Sequence, residues 1–171
     1  MSAKILIHTA DIHIGSGPRS QEYRAVFDQL FSFISKYPGQ REDIIVVIAG
    51  DIFHHKTRYA PEDVDDFNYL CDGFSNLGVT IILIPGNHDA NLSGVNLDLI
   101  TPLIPSRKNV HYLHNTGYFN IRGVKFYHHS VFDKGGITVG SSVDSGAGSS
   151  KTEDTDRKST RLNSSHLGIS R

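Results

Sequence analysis

The chain has 171 residues, a formal net charge of −1, 20% charged residues and one cysteine. This length suits one domain with a buried core, and the near-neutral charge excludes a strong overall basic field that would hold a nucleic acid. A polyanion would have to be bound locally. The single Cys71 excludes an internal disulfide and favours a reducing compartment, cytoplasmic or nuclear. The N-terminal apolar run is too short for a secretion signal, and no apolar run reaches the ~20 residues of a membrane span.

The first half of the chain alternates apolar runs with amphipathic segments. The runs at 4–10, 44–49 and 79–84 are nearly continuous Ile, Val and Leu, which is typical of strands buried on both faces of a parallel sheet. Helices are predicted over 20–37, ended by Pro38-Gly39, and from Pro61 to just before Gly78. The order predicts an α/β fold with right-handed crossovers.

After the third strand the pattern becomes less regular. Asn96 is predicted to cap a short helix carrying Leu97, Ile100 and Leu103, which nearby prolines limit in length. Short strands are predicted at 110–114, 118–121 and 124–127, and Arg122-Gly123 is predicted to turn the last two into a hairpin.

The sequence divides into two parts near residue 134. Residues 135–171 are rich in Gly and Ser and poor in apolar residues, so they are predicted to be a disordered tail. Within them, 156–166 resembles a translated sequencing adapter, which we set apart from the fold as we would a cloning scar. An ordinary polar tail is the alternative. The folded part is then predicted to be 1–134.

Polar clusters follow each of the three predicted strands. Asp11 and His13 follow the first strand, Asp51 and His54 follow the second, and Asn87-His88-Asp89 follows the third. The carboxyl ends of adjacent parallel strands meet at one edge of a sheet, where open α/β sheets bind ligands. Carboxylate, amide and imidazole donors gathered there predict a metal site.

The motifs Asp-x-His, Gly-Asp-x-x-His and Gly-Asn-His-Asp resemble the calcineurin-like metallophosphoesterase superfamily. His-Thr-Ala-Asp11-Ile-His13-Ile-Gly and Ala-Gly-Asp51-Ile-Phe-His54 are similar to its DNA double-strand-break repair nucleases, the SbcD or meiotic recombination eleven type. The likeness covers roughly residues 3 to 134. It implies the N-terminal β-α-β-α-β half of a layered sandwich with a following hairpin. It also implies two divalent metals, preferably manganese, exonuclease or endonuclease activity on DNA in repair and recombination, a coiled-coil ATPase partner and a possible homodimer.

The resemblance and the donor chemistry together assign roles to the motif residues. Bridging two cations takes a carboxylate, for which Asp51 is the candidate. The other assigned residues are Asp11 and His13 on the first metal, Asn87 on the second, His88 as general acid or transition-state stabiliser, Asp89 as the acceptor that fixes the His88 tautomer, His54 on the substrate phosphate or the leaving oxygen, and Lys56 and Arg58 on DNA backbone phosphates. The alternative for His54 is a solvated loop histidine, and for Lys56 and Arg58 ordinary surface charges.

The chain departs from the family pattern after the hairpin. The pattern calls for a further histidine after an apolar strand and then a Gly-His-x-His motif, and the sequence has neither. The second metal would have only Asp51 and Asn87, so we expect little or no nuclease activity from this chain alone. We also expect one sheet face to lack a cover. A phosphomonoesterase of the same superfamily and a non-catalytic metal-binding fragment are the alternatives.

Overall fold

The computed structural model describes residues 3–15, 19–91, 97–104, 107–133 and 166–170. Strands alternate with helices in the first half of the chain, and short strands follow in the second half. In chain order the elements are β1 Ile5–Thr9, α1 Ser20–Lys36, β2 Ile44–Ala49, α2 Pro61–Asn76, β3 Thr80–Ile84, β4 Ala90–Asn91, β5 Leu97–Asp98, β6 Val110–Tyr112, β7 Gly117–Ile121, β8 Val124–His129 and β9 His166–Ser170. Short 3-10 turns lie at Arg41–Asp43 and Thr101–Leu103.

The central sheet has four strands in the order β1-β2-β3-β6, all parallel. Every side chain of β3 is buried, and so are the first five of β2, which explains why both strands are apolar at every position except Thr80. The predicted α/β fold is therefore confirmed, and the three long strands lie within one residue of their predicted bounds. Their carboxyl ends lie side by side at one edge.

Helices α1 and α2 cover one face of this sheet. Each turns an apolar stripe inward, with Phe27 and Ile34 from α1 and Phe67 and Phe74 from α2 essentially excluded from water. Gly78, just after α2, has φ +73°, the left-handed conformation that ends helices and that glycine adopts without strain. No helix in the described part of the chain is long and apolar enough to cross a membrane.

The opposite sheet face is covered by the antiparallel strands β7 and β8. Ile45, Val47, Ile82 and Ile84 are fully buried there, in a cluster with Phe126 and other apolar residues of the hairpin. The expectation of an uncovered sheet face is therefore wrong for β2 and β3. The hairpin turns at Arg122-Gly123 as predicted, with both residues at positive φ. Its two strands supply enough apolar side chains to exclude water from the middle of the sheet.

The predicted third helix is not observed. Leu97 and Asp98 form β5, and a 3-10 turn follows at Thr101–Leu103. The Asp98 carboxylate accepts hydrogen bonds from the backbone N–H groups of Ile100 at 2.7 Å and Thr101 at 2.6 Å. Such local side-chain bonds compete with helix formation, and Pro102 leaves no N–H to continue one.

The tail prediction is only partly within the described residues. Residues 135–165 lie outside them, as does 171. At 166–170 the structure differs from the prediction, because β9 pairs antiparallel with β8. The edge of β8 offers a row of backbone N–H and C=O groups. Another extended segment can pair with them even when its sequence is not strongly apolar.

The buried His128 predicts an acid-sensitive fold. Its ring is fully buried in β8, and desolvation, only partly opposed by the Asn115 carbonyl, holds its pKa below the ordinary value of 6.5. A histidine with a lowered folded pKa stabilises the fold above the unfolded pKa, and this stability is lost as pH falls below about 6.5 towards the folded pKa. We expect the melting temperature to fall between pH 7.5 and 5.5, and the fall to be smaller in His128→Gln. The exposed His8→Gln is the control, and an equal fall in both variants would contradict this prediction.

Candidate metal centre

Three residues at the sheet edge have an unusual backbone conformation. Asp11, His13 and Asp51 have φ of 54°, 53° and 50°, in the left-handed region that non-glycine residues rarely adopt. Each such residue costs of order 1–3 kcal/mol, and strain of this kind collects at functional sites. The strained backbone turns successive side chains after β1 and β2 towards one place.

The loops after β1 and β2 are joined by backbone hydrogen bonds. The Asp11 N–H donates to the Gly50 carbonyl at 3.2 Å, and the His13 N–H donates to the Asp51 carbonyl at 2.9 Å. Ile14 and Phe53 then form a parallel bridge. The Tyr23 hydroxyl, from α1, donates to the His13 carbonyl at 2.7 Å. These bonds fix the backbone from which the polar side chains project.

The loops after β2 and β3 approach each other through two glycines. A Cβ on Gly50 would lie 2.9 Å from the Gly86 Cα, and one on Gly86 would lie 2.2 Å from the backbone nitrogen of Asp51. Only hydrogen atoms fit between these segments. Gly50 also has φ +84°. The glycines of the Gly-Asp and Gly-Asn-His-Asp motifs therefore allow the loops after β2 and β3 to approach closely.

Asp11, His13 and Asp51 form the first group of possible metal ligands, with one ligand atom from each lying within 4.8 Å of the others. The Asn87 amide lies beside Asp51, and its NH₂ group donates to the two Asp51 carboxylate oxygens at 3.0 and 3.1 Å. His13 Nδ1 is buried and has no hydrogen-bond partner among the described residues. These donors fit a divalent metal.

Three histidines form a second group that shares His13 with the first. Ligand atoms of His13, His54 and His88 lie within 4.8 Å of one another. The ring centroids of His13 and His88 are 4.8 Å apart, and those of His13 and His54 are 5.5 Å apart. Desolvation is the largest effect that lowers the pKa of His54, and the neighbouring histidines His55, His13 and His88 lower it further. The lowered pKa keeps its imidazole neutral. A neutral imidazole is the form that binds metal or accepts a proton.

The structure corrects the predicted role of Asp89. His88 Nδ1 lies 2.6 Å from the His54 carbonyl, which only accepts, so Nδ1 carries the proton and donates. Asp89 instead accepts the N–H groups of Ile52 at 3.1 Å, Phe53 at 2.8 Å and Gly86 at 2.9 Å. A backbone carbonyl thus sets the His88 tautomer, and Asp89 joins two loops.

The buried Asp89 carboxylate connects the two loops that carry Asp51 and Asn87. It is fully buried, and its desolvation raises the pKa of the carboxyl against the opposing effect of the three backbone hydrogen bonds. A buried carboxyl is tolerated only where its oxygens are paired. Its three donors come from the loops after β2 and β3, so it fixes where Asp51 lies relative to Asn87. In the sequence, the only available signal for this role was that Asp89 directly follows Gly-Asn-His.

The predicted phosphate-binding residues lie at the margin of the site. Lys56 and Arg58 are exposed on the loop between β2 and α2. The structure therefore brings together Asp11, His13, Asp51, Asn87, His54 and His88, and leaves Lys56 and Arg58 in solvent. Side chains in solvent at this place are accessible to a bound polyanion and are equally compatible with ordinary surface charges.

A parallel sheet with carboxylate, amide and imidazole donors at its carboxyl edge is typical of a metal-dependent phosphoesterase. Residues 5–165 match the family model described as calcineurin-like phosphoesterase. The chain belongs to this family, whose members are metal-dependent hydrolases.

Two curated proteins are similar in sequence. "Uncharacterized protein R555" of Acanthamoeba polyphaga mimivirus is 35% identical over 140 residues, which are 80% of this chain and 10% of that protein. "DNA double-strand break repair protein Mre11" of Archaeoglobus fulgidus is 25% identical over 119 residues, 69% of this chain and 24% of that protein. The chain thus spans a quarter or less of the length of these relatives. Among solved structures, the phosphopantetheinyl hydrolase PptH of Mycobacterium tuberculosis matches 70% of this chain and 39% of its own, with 16% identity and a TM-score of 0.34.

Proposed function

We propose that this chain is the N-terminal part of a metal-dependent phosphodiesterase that cleaves DNA ends in double-strand-break repair. The observation that carries the proposal is that ligand atoms of Asp11, His13 and Asp51 lie within 4.8 Å of one another, with the Asn87 side chain beside Asp51. Two adjacent sets of donors that share one carboxylate suit a two-metal centre. The Mre11 relative favours DNA as the substrate.

The residues of the site divide the work of phosphodiester cleavage in this proposal. Asp11, His13 and Asp51 would hold the first metal, and Asp51 with Asn87 would hold the second. Divalent cations bound there would supply a nucleophilic water at neutral pH and neutralise charge on the phosphate. Because the protonated Nδ1 of His88 donates to the His54 carbonyl, the Nε2 atom is left to face the substrate and move a proton at the leaving oxygen.

The substrate class is tested by a rate comparison under single-turnover conditions with protein in excess. With Mn²⁺ we expect little cleavage of a labelled DNA end, because the second metal has only Asp51 and Asn87. We expect any cleavage to exceed hydrolysis of p-nitrophenyl phosphate and to be absent in EDTA. Faster hydrolysis of the monoester would favour the phosphomonoesterase alternative. Metal binding with cleavage of neither substrate would favour the non-catalytic alternative and contradict the proposal for this chain.

His88→Ala separates catalysis from metal binding. We expect the little cleavage that the chain shows to fall to background, because a positioned acid or base usually contributes roughly 10²–10⁴-fold, while Mn²⁺ content stays at the unsubstituted level. Elemental analysis and the cleavage rate measure the two effects. His55→Ala is the matched control, because His55 is exposed and its ring lies 5.1 Å from that of His54. An emptied site in His88→Ala would show that His88 is a ligand.

A further inference from the structure

Three histidines converge at the carboxyl edge of the sheet, and each comes from a different loop. His13 follows β1, His54 lies in the loop after β2, and His88 follows β3. One ring nitrogen of each lies within 4.8 Å of the other two. Separate roles on a phosphate do not by themselves require three ring nitrogens this close together. We call these residues the three-histidine group.

Backbone hydrogen bonds hold the three-histidine group in place. The His13 N–H donates to the Asp51 carbonyl at 2.9 Å, and the His54 N–H donates to the Ile14 carbonyl at 2.8 Å. The His88 N–H donates to the Asp51 Oδ1 atom at 2.9 Å. All three histidines are only half-buried, so an ion can reach them from solvent. The group is therefore preformed and accessible.

The ring nitrogens of the group include lone pairs that a cation can take. His88 Nδ1 donates to the His54 carbonyl at 2.6 Å, which leaves Nε2 as the nitrogen with a lone pair. His13 Nδ1 is buried and has no hydrogen-bond partner in the described part of the chain. A buried polar atom normally has a partner, and a cation held by the histidine rings supplies one.

Imidazole ligands favour a different metal from carboxylates. The first ligand group, Asp11, His13 and Asp51, has two carboxylates, which suit Mn²⁺, whereas imidazole suits Zn²⁺, and Zn²⁺ binds a given site more tightly than Mn²⁺. Three histidines with an open fourth position are an established zinc arrangement. At a Zn–N distance of about 2.0–2.1 Å, two nitrogens of a tetrahedral site are roughly 3.4 Å apart. The observed spacing closes to this value by ring rotation, which histidine allows at χ2.

We propose that His13, His54 and His88 form a Zn²⁺ site that competes with Mn²⁺ at the first ligand group. His13 belongs to both groups, and a neutral imidazole has one lone pair to give, so only one group binds through it at a time. Zn²⁺ also takes the His88 nitrogen that would otherwise face the substrate. The consequence that Zn²⁺ inhibits cleavage rests on the proposed function, whereas the zinc site itself does not.

X-ray absorption at the zinc edge tests which ligands hold the ion. The sample is the full chain with one equivalent of Zn²⁺. We expect three imidazoles with nitrogens at roughly 2.0–2.1 Å. A single imidazole with carboxylate oxygens would place Zn²⁺ in the first ligand group and overturn the proposal, as would a failure of the chain to bind Zn²⁺.

Two substitutions separate the zinc site from the manganese site. His54→Ala is expected to lower Zn²⁺ affinity by more than roughly 100-fold, the upper end of the loss for a group that only supports a ligand, and to leave Mn²⁺ affinity unchanged. Asp11→Asn is expected to do the reverse, and asparagine tolerates the left-handed backbone at this position. Competition with a chromophoric chelator measures both affinities. Parallel losses of the two metals in either variant would overturn the proposal.

His55→Ala is the matched control for His54→Ala. His55 is exposed, its ring lies 5.1 Å from that of His54, and it lies outside the three-histidine group. We expect it to bind both metals normally, and a Zn²⁺ loss equal to that of His54→Ala would contradict the assigned ligands. Circular dichroism melting in EDTA checks that each variant folds, and the absorption measurement needs no variant. Because these measurements contain no DNA, failure of the proposed function would not alter them.

Discussion

Asp51→Ala is expected to remove both Mn²⁺ binding and DNA cleavage. Asp51 belongs to the first ligand group, and its two carboxylate oxygens lie 3.0 and 3.1 Å from the Asn87 side chain. Losing a group that merely supports a ligand costs roughly 10–100-fold in metal affinity. In the proposed two-metal site the loss of a shared carboxylate would cost more, because without it the two cations would repel each other unscreened. We therefore expect metal content at background level and no measurable cleavage.

Asp51→Asn distinguishes the charge of Asp51 from its structural contact. The Asp51 Oδ1 atom accepts the His88 N–H at 2.9 Å, and an asparagine oxygen retains that bond. We expect Asp51→Asn to melt like the unsubstituted chain in EDTA and still to lose Mn²⁺. Asp133→Ala, which removes an exposed carboxylate, is the control for net charge. Cleavage that persisted in Asp51→Ala, or normal metal content in Asp51→Asn, would show that Asp51 is not a shared ligand.

The sequence predicts the parallel sheet well because β2 and β3 are buried on both faces. Apolar residues at nearly every position of a five- or six-residue run leave few alternatives to a buried strand, and the two intervening helices favour parallel pairing. The convergence of Asp11, Asp51 and Asn87 then follows from topology. The third helix was predicted wrongly because the Asp98 side chain binds the following backbone, a local competition that apolar spacing does not show.

Other features of the site depend on three-dimensional packing. The role of Asp89 was predicted wrongly because its neighbours in sequence differ from its neighbours in space: Ile52 and Phe53 lie more than thirty-five positions away. The positive φ of Asp11 and His13 is also invisible in sequence, because neither is a residue type chosen mainly for that conformation. Both features position the ligand side chains. The sequence therefore identifies the ligand residues better than the contacts and backbone conformations that position them.

Gly86→Ala is expected to destabilise the fold and displace the metal ligands together. Its Cβ would lie 2.1 Å from the Asp51 Oδ1 atom and 2.2 Å from the Asp51 nitrogen, where real Cβ atoms essentially never lie. The backbone must therefore move. The Gly86 N–H donates to Asp89 at 2.9 Å, so the movement also strains the contact that joins the two loops. Overpacking of this kind costs roughly 3 kcal/mol, which lowers the melting temperature of a chain this size by about 6–12 °C.

The matched control for Gly86→Ala is Gly117→Ala, where the nearest atom would lie 3.8 Å from the new Cβ and the backbone needs no positive φ. We expect Gly117→Ala to melt within about 2–4 °C of the unsubstituted chain, a shift that corresponds to roughly 1 kcal/mol, and to bind Mn²⁺ normally. Thermal unfolding in EDTA and Mn²⁺ titration measure the two effects separately. Because the clash falls on Asp51 itself, Gly86→Ala should lose metal affinity even at temperatures where it remains folded. Unchanged metal affinity in folded Gly86→Ala would show that the loops after β2 and β3 tolerate separation and that their close approach does not set the ligand geometry.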